Sequence, residues 1–284
     1  MRGLAGKTAA VIGAGQGIGQ AVCLELSRYG VKIAAIDLEE PRETLDRLAG
    51  SGAEARGFCT DVRSLTDMQK TAKNVSDWAQ SPSFVINSVN VRSFSPILEL
   101  SAAYWQNTLD VILTGGFNTA RAFCPAMVEQ GHGSVVFFTS ITARYSFPNL
   151  SHYQAAKMGL EGLSRALAFE LGPSGVRVNS VAPWLVATPN FGDRAAFFES
   201  EARNGALKRL ATPEEVSRLV AFLLSDEACT LTGREIDCDM GYSLAAQDFD
   251  GWLERRGGGV RPGEDGRALE LPLERRLRDN SDVF

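Results

Sequence analysis

The sequence contains little of what metal sites and disulfide frameworks require. It has two histidines and five cysteines among 284 residues. His132 and His152 lie far from any cysteine pair, so we expect no zinc or other metal site. The cysteines are odd in number and stand mostly in apolar surroundings, which predicts buried free thiols in a reducing compartment. They are Cys23, Cys59, Cys124, Cys229 and Cys238.

Long apolar runs and an excess of basic residues are also missing. No run approaches the about 18 apolar residues that a membrane-spanning helix needs. The segment from Met1 to Gly19 has no apolar region of the secretory type. The net charge of −5 argues against nucleic acid or an anionic membrane as a partner. We therefore expect a cytoplasmic protein that acts on a small molecule.

Short apolar runs of strand type alternate with runs of helical spacing along most of the chain. This alternation predicts an α/β fold with one doubly wound parallel sheet of about seven strands and helices on both faces. Ligands of such sheets bind beyond the carboxyl ends of the strands. The predicted strands lie near 7–12, 31–37, 54–59, 83–87, 133–139, 175–182 and 234–238. The predicted helices lie near 17–29, 40–50, 64–80, 104–130, 152–171 and 213–225, with a shorter irregular one in 190–206.

A glycine-rich turn, GAGQGIG at 13–19, connects the first strand to the first helix. This context is the one that a dinucleotide diphosphate site requires, because glycines let the backbone approach the phosphates at a helix N-terminus. The second strand ends in Asp37, whose carboxylate can accept both ribose hydroxyls and would repel a 2′-phosphate. Leu38 stands where an arginine would favour NADP. The pattern therefore predicts NAD as the cofactor.

A second motif joins Ser140, Tyr153 and Lys157. Tyr153 and Lys157 lie four residues apart on a predicted helix and so share one face. An ammonium group beside a phenol stabilises the phenolate, which favours proton exchange near neutral pH. Ser140 follows the apolar run 134–139. Each feature alone is compatible with ordinary packing or a tight loop, but their combination with the glycine turn indicates a catalytic site.

With these motifs, the chain resembles the short-chain dehydrogenase/reductase family over about residues 5–243. The resemblance implies a Rossmann-type fold in which Tyr153 is the general acid and base, Lys157 also bonds the nicotinamide ribose, and Ser140 orients the substrate oxygen. It also implies that the pair 61–62 touches the adenine and that Thr188 holds the carboxamide. The predicted cofactor-binding residues are Gly13, Gln16, Gly17, Ile18, Gly19, Asp37, Leu38, Asp61, Val62, Asn87, Ser88, Val89, Tyr153, Lys157, Pro183, Val186 and Thr188.

Three positions depart from the family pattern. The family's Asn-Asn-Ala-Gly is NSVN at 87–90, so the terminal glycine is replaced by Asn90. The usual catalytic asparagine falls on Ile112, which cannot hold the water that normally links the lysine to solvent. Trp184 replaces the glycine that usually follows Pro183. These changes alter the surroundings of the proton relay and leave the residues bonded to a reacting carbonyl in place.

The sequence predicts an NAD(H)-dependent oxidoreductase that interconverts a secondary alcohol and a ketone. Many aromatic residues are expected near the nicotinamide, which favours a bulky apolar or aromatic substrate. Arg92 and Arg144 flank the same region and could meet a carboxylate or a phenolate. Non-redox chemistry on the same fold and a catalytically silent cofactor-binding protein remain open alternatives. The predicted substrate-pocket residues are Arg92, Phe94, Thr142, Phe147, Trp184 and Phe191.

Residues 245–284 differ in composition from the rest and divide the chain into a predicted catalytic domain, 1–244, and a charged C-terminal extension. The extension is rich in Asp, Glu, Arg and Gly and has no lysine. It is compatible with a solvated tail. Alternatively, it is an arm that wraps a neighbouring subunit and covers its active site. The family resemblance implies a homo-oligomer, either a tetramer or a dimer.

Overall fold

The computed structural model describes residues 1–189 and 195–247. Within them, seven strands form one sheet in the order β3-β2-β1-β4-β5-β6-β7, and every neighbouring pair is parallel. The predicted α/β fold and all seven predicted strands are confirmed. The strands are β1 (Thr8–Ile12), β2 (Lys32–Asp37), β3 (Ala55–Cys59), β4 (Phe84–Asn87), β5 (Gly133–Phe138), β6 (Val176–Pro183) and β7 (Glu235–Cys238).

Helices alternate with the strands, as predicted. The described ones are α1 (Gly17–Ser27), α2 (Arg42–Gly50), α3 (Leu65–Trp78), α4 (Ala102–Leu109), α5 (Gly115–Gln130), α6 (Ser151–Leu171), α7 (Ala195–Ala202) and α8 (Pro213–Leu224). None of these described helices is both long enough and apolar enough to cross a membrane.

The single helix predicted over 104–130 is wrong in one respect. A π-helical turn, Asp110–Thr114, separates α4 from α5, and the N–H of Gly115 bonds to the carbonyl of Asp110 five residues earlier. The chain remains helical throughout, so the apolar spacing on either side continues. The inserted residue shifts the apolar face of α5 relative to that of α4. Each segment keeps its own helical spacing, so the spacing within either segment does not reveal the insertion.

Two apolar layers cover the two faces of the sheet. Neighbouring residues of a strand point to opposite faces, so Ala9 and Val11 join one layer while Ala10 and Ile12 join the other. The first layer includes residues of α1 and α8, and the second includes residues of α3, α5 and α6. Burial on both faces explains why the strands are continuous apolar runs.

The cysteines are less buried than predicted. All five are free, and Cys23 and Cys124 are buried, but Cys59 and Cys229 are exposed and Cys238 is intermediate. Cys59 is the last residue of the edge strand β3, where no further strand covers it. The proposed division at residue 244 stays a prediction, because most of the extension lies outside the described residues.

Candidate active site

A cleft of about 550 Å³ opens at the carboxyl ends of the strands. It lies where the strand order reverses between β1 and β4, which is the place expected for a ligand in a doubly wound sheet. Its volume is in the range of small-molecule sites. It is lined by Gly13, Gln16, Gly17, Ile18, Gly19, Asp37, Ser88, Val89, Asn90, Val91, Arg92, Phe138, Thr139, Ser140, Tyr153, Lys157, Pro183, Trp184, Leu185, Val186 and Thr188.

The glycine turn forms one wall of this cleft and cannot accept larger residues at its closest contact. A Cβ atom on Gly19 would lie 1.9 Å from the carbonyl oxygen of Gly13. Gly17 has a φ of 58°, which favours glycine. Ser88 ties the turn to β4 by donating to the carbonyl of Ile12 at 2.9 Å. The tight turn brings backbone, instead of side chains, to the floor of the cleft.

The N-terminus of α1 has donors available for an anion. Gln16 occupies the N-cap position without a side-chain cap, and the first turn contains no acidic residue. The first amide groups of a helix have no partner within the helix, and the helix dipole favours negative charge there. This arrangement fits the diphosphate of a dinucleotide.

Asp37 lies at the end of β2 and lines the cleft beside the glycine turn. Its Oδ2 accepts a bond from the N–H of Gly15 at 2.7 Å, and its Oδ1 accepts from the N–H of Leu38 at 2.7 Å. Each carboxylate oxygen can accept more than one bond, so Asp37 remains able to receive ribose hydroxyls. Leu38 itself does not line the cleft, and 63% of its surface is exposed.

Ser140, Tyr153 and Lys157 meet in the opposite half of the cleft. Ser140 follows β5, while Tyr153 and Lys157 lie in the first two turns of α6. All three are buried, with exposures of 5%, 5% and 2%. The Nζ of Lys157 donates to the carbonyl of Phe138 at 2.7 Å and lies 5.6 Å from the centre of the Tyr153 ring.

Burial dominates the protonation of this group. It raises the pKa of the Tyr153 phenol, whereas the positive charge of Arg92 and the hydrogen bond from Ser140 lower it. Burial, followed by the charge of Arg92, lowers the pKa of Lys157 to about 7. The sequence interpretation assigned the acidifying charge to Lys157. In the structure, Arg92 is a second cation beside the phenol, and its charge favours the phenolate.

Several predicted residues lie near the cleft but do not line it. Asp61 is paired with Arg63 at 2.6 Å, and this pairing lowers the pKa of its carboxyl group. Val62 is buried against α5, beside Gly115. Asn87 is buried and donates to the hydroxyl of Thr119 at 2.9 Å.

Two residues predicted for the substrate pocket, Thr142 and Phe94, do not line the cleft themselves. Thr142 supports the site from behind, where its hydroxyl donates to the Oγ of Ser140 at 2.9 Å. Phe94 is 45% exposed at the outer edge. Phe191 lies outside the described residues.

Three stacked aromatic rings form the outer wall near Pro183. Trp184 stacks on Phe147 with ring centres 4.5 Å apart and an angle of 25°, and its other neighbour is Tyr242, also at 4.5 Å. Of the three, Trp184 lines the cleft. Its buried Nε1 has no hydrogen-bond partner among the described residues. The wall offers an apolar surface with two polar groups, the Nε1 of Trp184 and the hydroxyl of Tyr242.

Tyr242 was missed by the sequence interpretation. It follows β7 by four residues and so lies just beyond the carboxyl end of a strand. Its position in the chain was therefore a usable signal. Phe138, Thr139 and Leu185 also line the cleft, and they were overlooked because they belong to apolar runs that read only as strand and loop.

The two candidate arginines have different surroundings. Arg144 forms ion pairs with Asp237 and with Glu235, the latter at 3.2 Å, and it does not line the cleft. Arg92 lines the cleft, with its guanidinium carbon 5.9 Å from the centre of the Tyr153 ring. Arg92 is therefore the arginine available to a ligand near the catalytic residues.

Within the described ranges, no group of three or more His, Cys, Asp or Glu residues could hold a metal ion. The described residues that line the cleft provide hydroxyls, cations, backbone amides, the side-chain amides of Gln16 and Asn90, the indole N–H of Trp184 and one carboxylate, that of Asp37. Such a set can bind an anionic dinucleotide and move a proton at Tyr153.

Comparisons with known proteins agree with this geometry. The family described as enoyl-(acyl carrier protein) reductase matches residues 13–243. D-threitol dehydrogenase of Mycolicibacterium smegmatis is 35% identical over 249 residues, which cover 85% of this chain and 94% of that protein. Cyclohexanol dehydrogenase of an Acinetobacter species is 32% identical and covers 84% and 95%. 2-(S)-hydroxypropyl-CoM dehydrogenase 3 of Xanthobacter autotrophicus is 31% identical and covers 82% and 95%.

Proposed function

Because the chain belongs to the short-chain dehydrogenase/reductase family, we propose that it is an NAD(H)-dependent oxidoreductase that interconverts a secondary alcohol and a ketone. The observation that carries the proposal is the convergence of Ser140, Tyr153 and Lys157 with the glycine turn in one cleft. Relatives named as dehydrogenases of D-threitol and cyclohexanol support an alcohol as the substrate.

The glycine turn and the N-terminus of α1 would hold the diphosphate of the cofactor. Asp37 would accept the ribose hydroxyls of the adenosine, which supports NAD over NADP. Lys157 lies in the opposite half of the cleft, where the nicotinamide ribose would bind, and Thr188 would hold the carboxamide. Thr188 is close to the turn, since its Cγ2 would lie 3.3 Å from a Cβ placed on Gly17.

When bound, the nicotinamide supplies or accepts the hydride. Tyr153 takes the hydroxyl proton of the alcohol in oxidation and returns it to the carbonyl oxygen in reduction. Ser140 donates a hydrogen bond to the same oxygen and stabilises the negative charge that develops on it. Thr142 orients the Ser140 hydroxyl by donating to it. The buried positions of Ser140 and Tyr153 exclude water from the proton transfer.

The aromatic wall supports a bulky apolar or aromatic substrate. Phe147 and Trp184 present stacked rings beside the catalytic residues, and aromatic surfaces contribute most to the binding of large apolar groups. We also propose a homo-oligomer, either a tetramer or a dimer. Apolar side chains exposed on α5 and α6, among them Phe117, Met158 and Phe169, support this proposal.

The proposal is tested by following the absorbance of the reduced nicotinamide band during incubation with a panel of ketones and alcohols. We expect turnover with NAD(H) and weaker binding of NADP(H). Tyr153→Phe should abolish turnover, because it removes the group that transfers the proton, and should leave NADH affinity nearly unchanged. Tyr29→Phe, which alters a hydroxyl bonded to Glu25 on α1, is the matched control and should behave as the wild type.

Two results would contradict the proposal. Full turnover in Tyr153→Phe would remove the proposed mechanism. Product formation with bound NAD but without net change of absorbance would instead favour non-redox chemistry on the same fold.

A further inference from the structure

Arg92 places a cation that has no ion-pair partner among the described residues at the catalytic end of the cleft. It is partly buried and lies on the segment that follows β4. Its guanidinium carbon is 5.7 Å from the ring centre of Phe94 and 5.9 Å from that of Tyr153. No carboxylate of the described residues forms an ion pair with it, whereas Arg63 and Arg144 are both paired. The charge of Arg92 is therefore directed at the space in front of Tyr153.

The charges of the cleft are divided between its two ends. Among the described lining residues, the one acid is Asp37, and it lies beside the glycine turn. The catalytic end holds Arg92 and Lys157, both cations. A guanidinium group in a partly desolvated site is stabilised by an anion that forms paired hydrogen bonds with it. None of the described residues supplies this anion in the half of the cleft that contains Tyr153.

Contacts with the start of α6 hold the Arg92 segment in place. The N–H of Ser95 donates to the carbonyl of Asn149 at 2.9 Å, immediately before α6 begins. His152 is fully buried beneath this segment, next to the backbone of Ser93 and with the ring of Tyr104 at 5.4 Å. Because α6 also carries Tyr153, the cation and the phenol keep a fixed relative position.

Resting on the proposed function, we propose that Arg92 binds a carboxylate of the substrate, so that the enzyme acts on a hydroxy acid or an oxo acid. The guanidinium group lies next to the Tyr153 ring, so the carboxylate is separated from the reacting carbon by a few bonds. Trp184, which lines the cleft and is stacked on Phe147, then contacts the apolar or aromatic body of the same molecule. This assignment narrows the substrate from any bulky ketone to an acid with an apolar body.

The test measures binding of matched acid and amide pairs to the enzyme saturated with NADH, by calorimetry. The pairs are benzoate with benzamide, phenylacetate with phenylacetamide, and acetate with acetamide. We expect at least one acid to bind more tightly than its amide. Arg92→Gln should lower the affinity for that acid by about tenfold or more, because a hydrogen bond to a charged partner is lost. The affinity for the matching amide should not change.

Two variants serve as controls. Arg121→Gln removes an exposed arginine on α5 and should leave every affinity as in the wild type. Arg92→Lys keeps the charge without the paired donors, so it should retain part of the preference for the acid. Melting temperatures of all variants show that they are folded.

The outcomes separate this inference from the proposed function. The inference is overturned if no acid binds more tightly than its amide, or if Arg92→Gln keeps the preference. It is also overturned if Arg92→Gln weakens NADH itself and leaves the acid preference intact, since Arg92 would then serve the cofactor. Absence of NADH binding by the wild type would instead refute the proposed function, on which the inference rests.

Discussion

At the scale of single residues, the protonation of Tyr153 depends on which cation lies close to it. The sequence placed Lys157 beside the phenol through their helical spacing. In the structure, the Nζ of Lys157 bonds to the carbonyl of Phe138 while it stays 5.6 Å from the ring centre of Tyr153. Arg92, from a different segment, adds a second cation at 5.9 Å from the same ring centre. Helical spacing reveals pairs within one helix, but it cannot reveal a neighbour that arrives through the packing of a loop.

The charge of Arg92 leads to a prediction for the pH profile of alcohol oxidation. Arg92 lowers the pKa of Tyr153, so its removal in Arg92→Gln should raise that pKa. Oxidation requires the phenolate, and the rising limb of kcat/KM against pH should therefore move to higher pH. The limb reports the free enzyme and is measured with a neutral alcohol, so that binding of a carboxylate does not contribute. Arg92→Lys should keep the limb close to the wild type, and an unshifted limb in Arg92→Gln would contradict the assignment.

Other residues show where sequence patterns stop being informative. The glycine turn and Asp37 were predicted to lie together and do line one cleft, because both follow neighbouring strands of a parallel sheet. Leu38 and Asp61 were placed in the same set but face other surroundings. The sheet determines which residues lie at the carboxyl end of a strand. Local hydrogen bonds determine where the side chains of the following residues point, and the sequence does not show these bonds.

At the scale of elements, the π turn at Asp110–Thr114 contributes a residue to the second apolar layer, the one that also contains Tyr153. Its central residue, Ile112, is 2% exposed and belongs to the same apolar cluster as Tyr153 and Ala156. π turns within α-helices often occur at functional sites. Here, the turn presents an apolar side chain where the family resemblance implies an asparagine.

This difference predicts a measurable effect of Ile112→Asn. If proton exchange with solvent limits turnover, an amide at this position should hold a water and so raise the rate or shift its pH profile. The substitution buries a polar group, which should also lower stability by about 1–3 kcal/mol. The rate is measured in H2O and D2O, because a limiting proton exchange gives a solvent isotope effect that the variant should reduce. Ile112→Leu is the apolar control, and equal isotope effects in all three proteins would mean that another water path already serves.

At the scale of the whole molecule, the sequence predicted the parallel sheet, and the sheet in turn predicted a ligand site at the carboxyl ends of its strands. Every strand was expected within one or two residues. Central strands such as β1 and β5 are buried on both faces and are therefore largely apolar runs between polar turns. The strand order adds the information that β1 and β4 are neighbours. That adjacency brings the glycine turn, the Arg92 segment and α6 to one edge. Sequence alone could not show it, because it depends on which helices cross which face.

Burial of Lys157 by this assembly makes the stability of the ligand-free protein depend on pH. Its pKa is about 7 in the folded protein, below the 10.5 of an ordinary lysine. Between these values the unfolded chain binds a proton that the folded one does not, so the free energy of unfolding should rise with pH. The gain is on the order of a few kcal/mol, since one pKa unit corresponds to about 1.4 kcal/mol. Lys157→Met lacks the titrating group, and should therefore lose this rise relative to the wild type in urea unfolding at fixed protein concentration. The control Lys70→Met, at an exposed position on α3, should keep the rise of the free energy of unfolding with pH. Parallel plots of this free energy against pH for the wild type and Lys157→Met would contradict the prediction, because Lys157 would then titrate in the folded protein as it does in the unfolded chain.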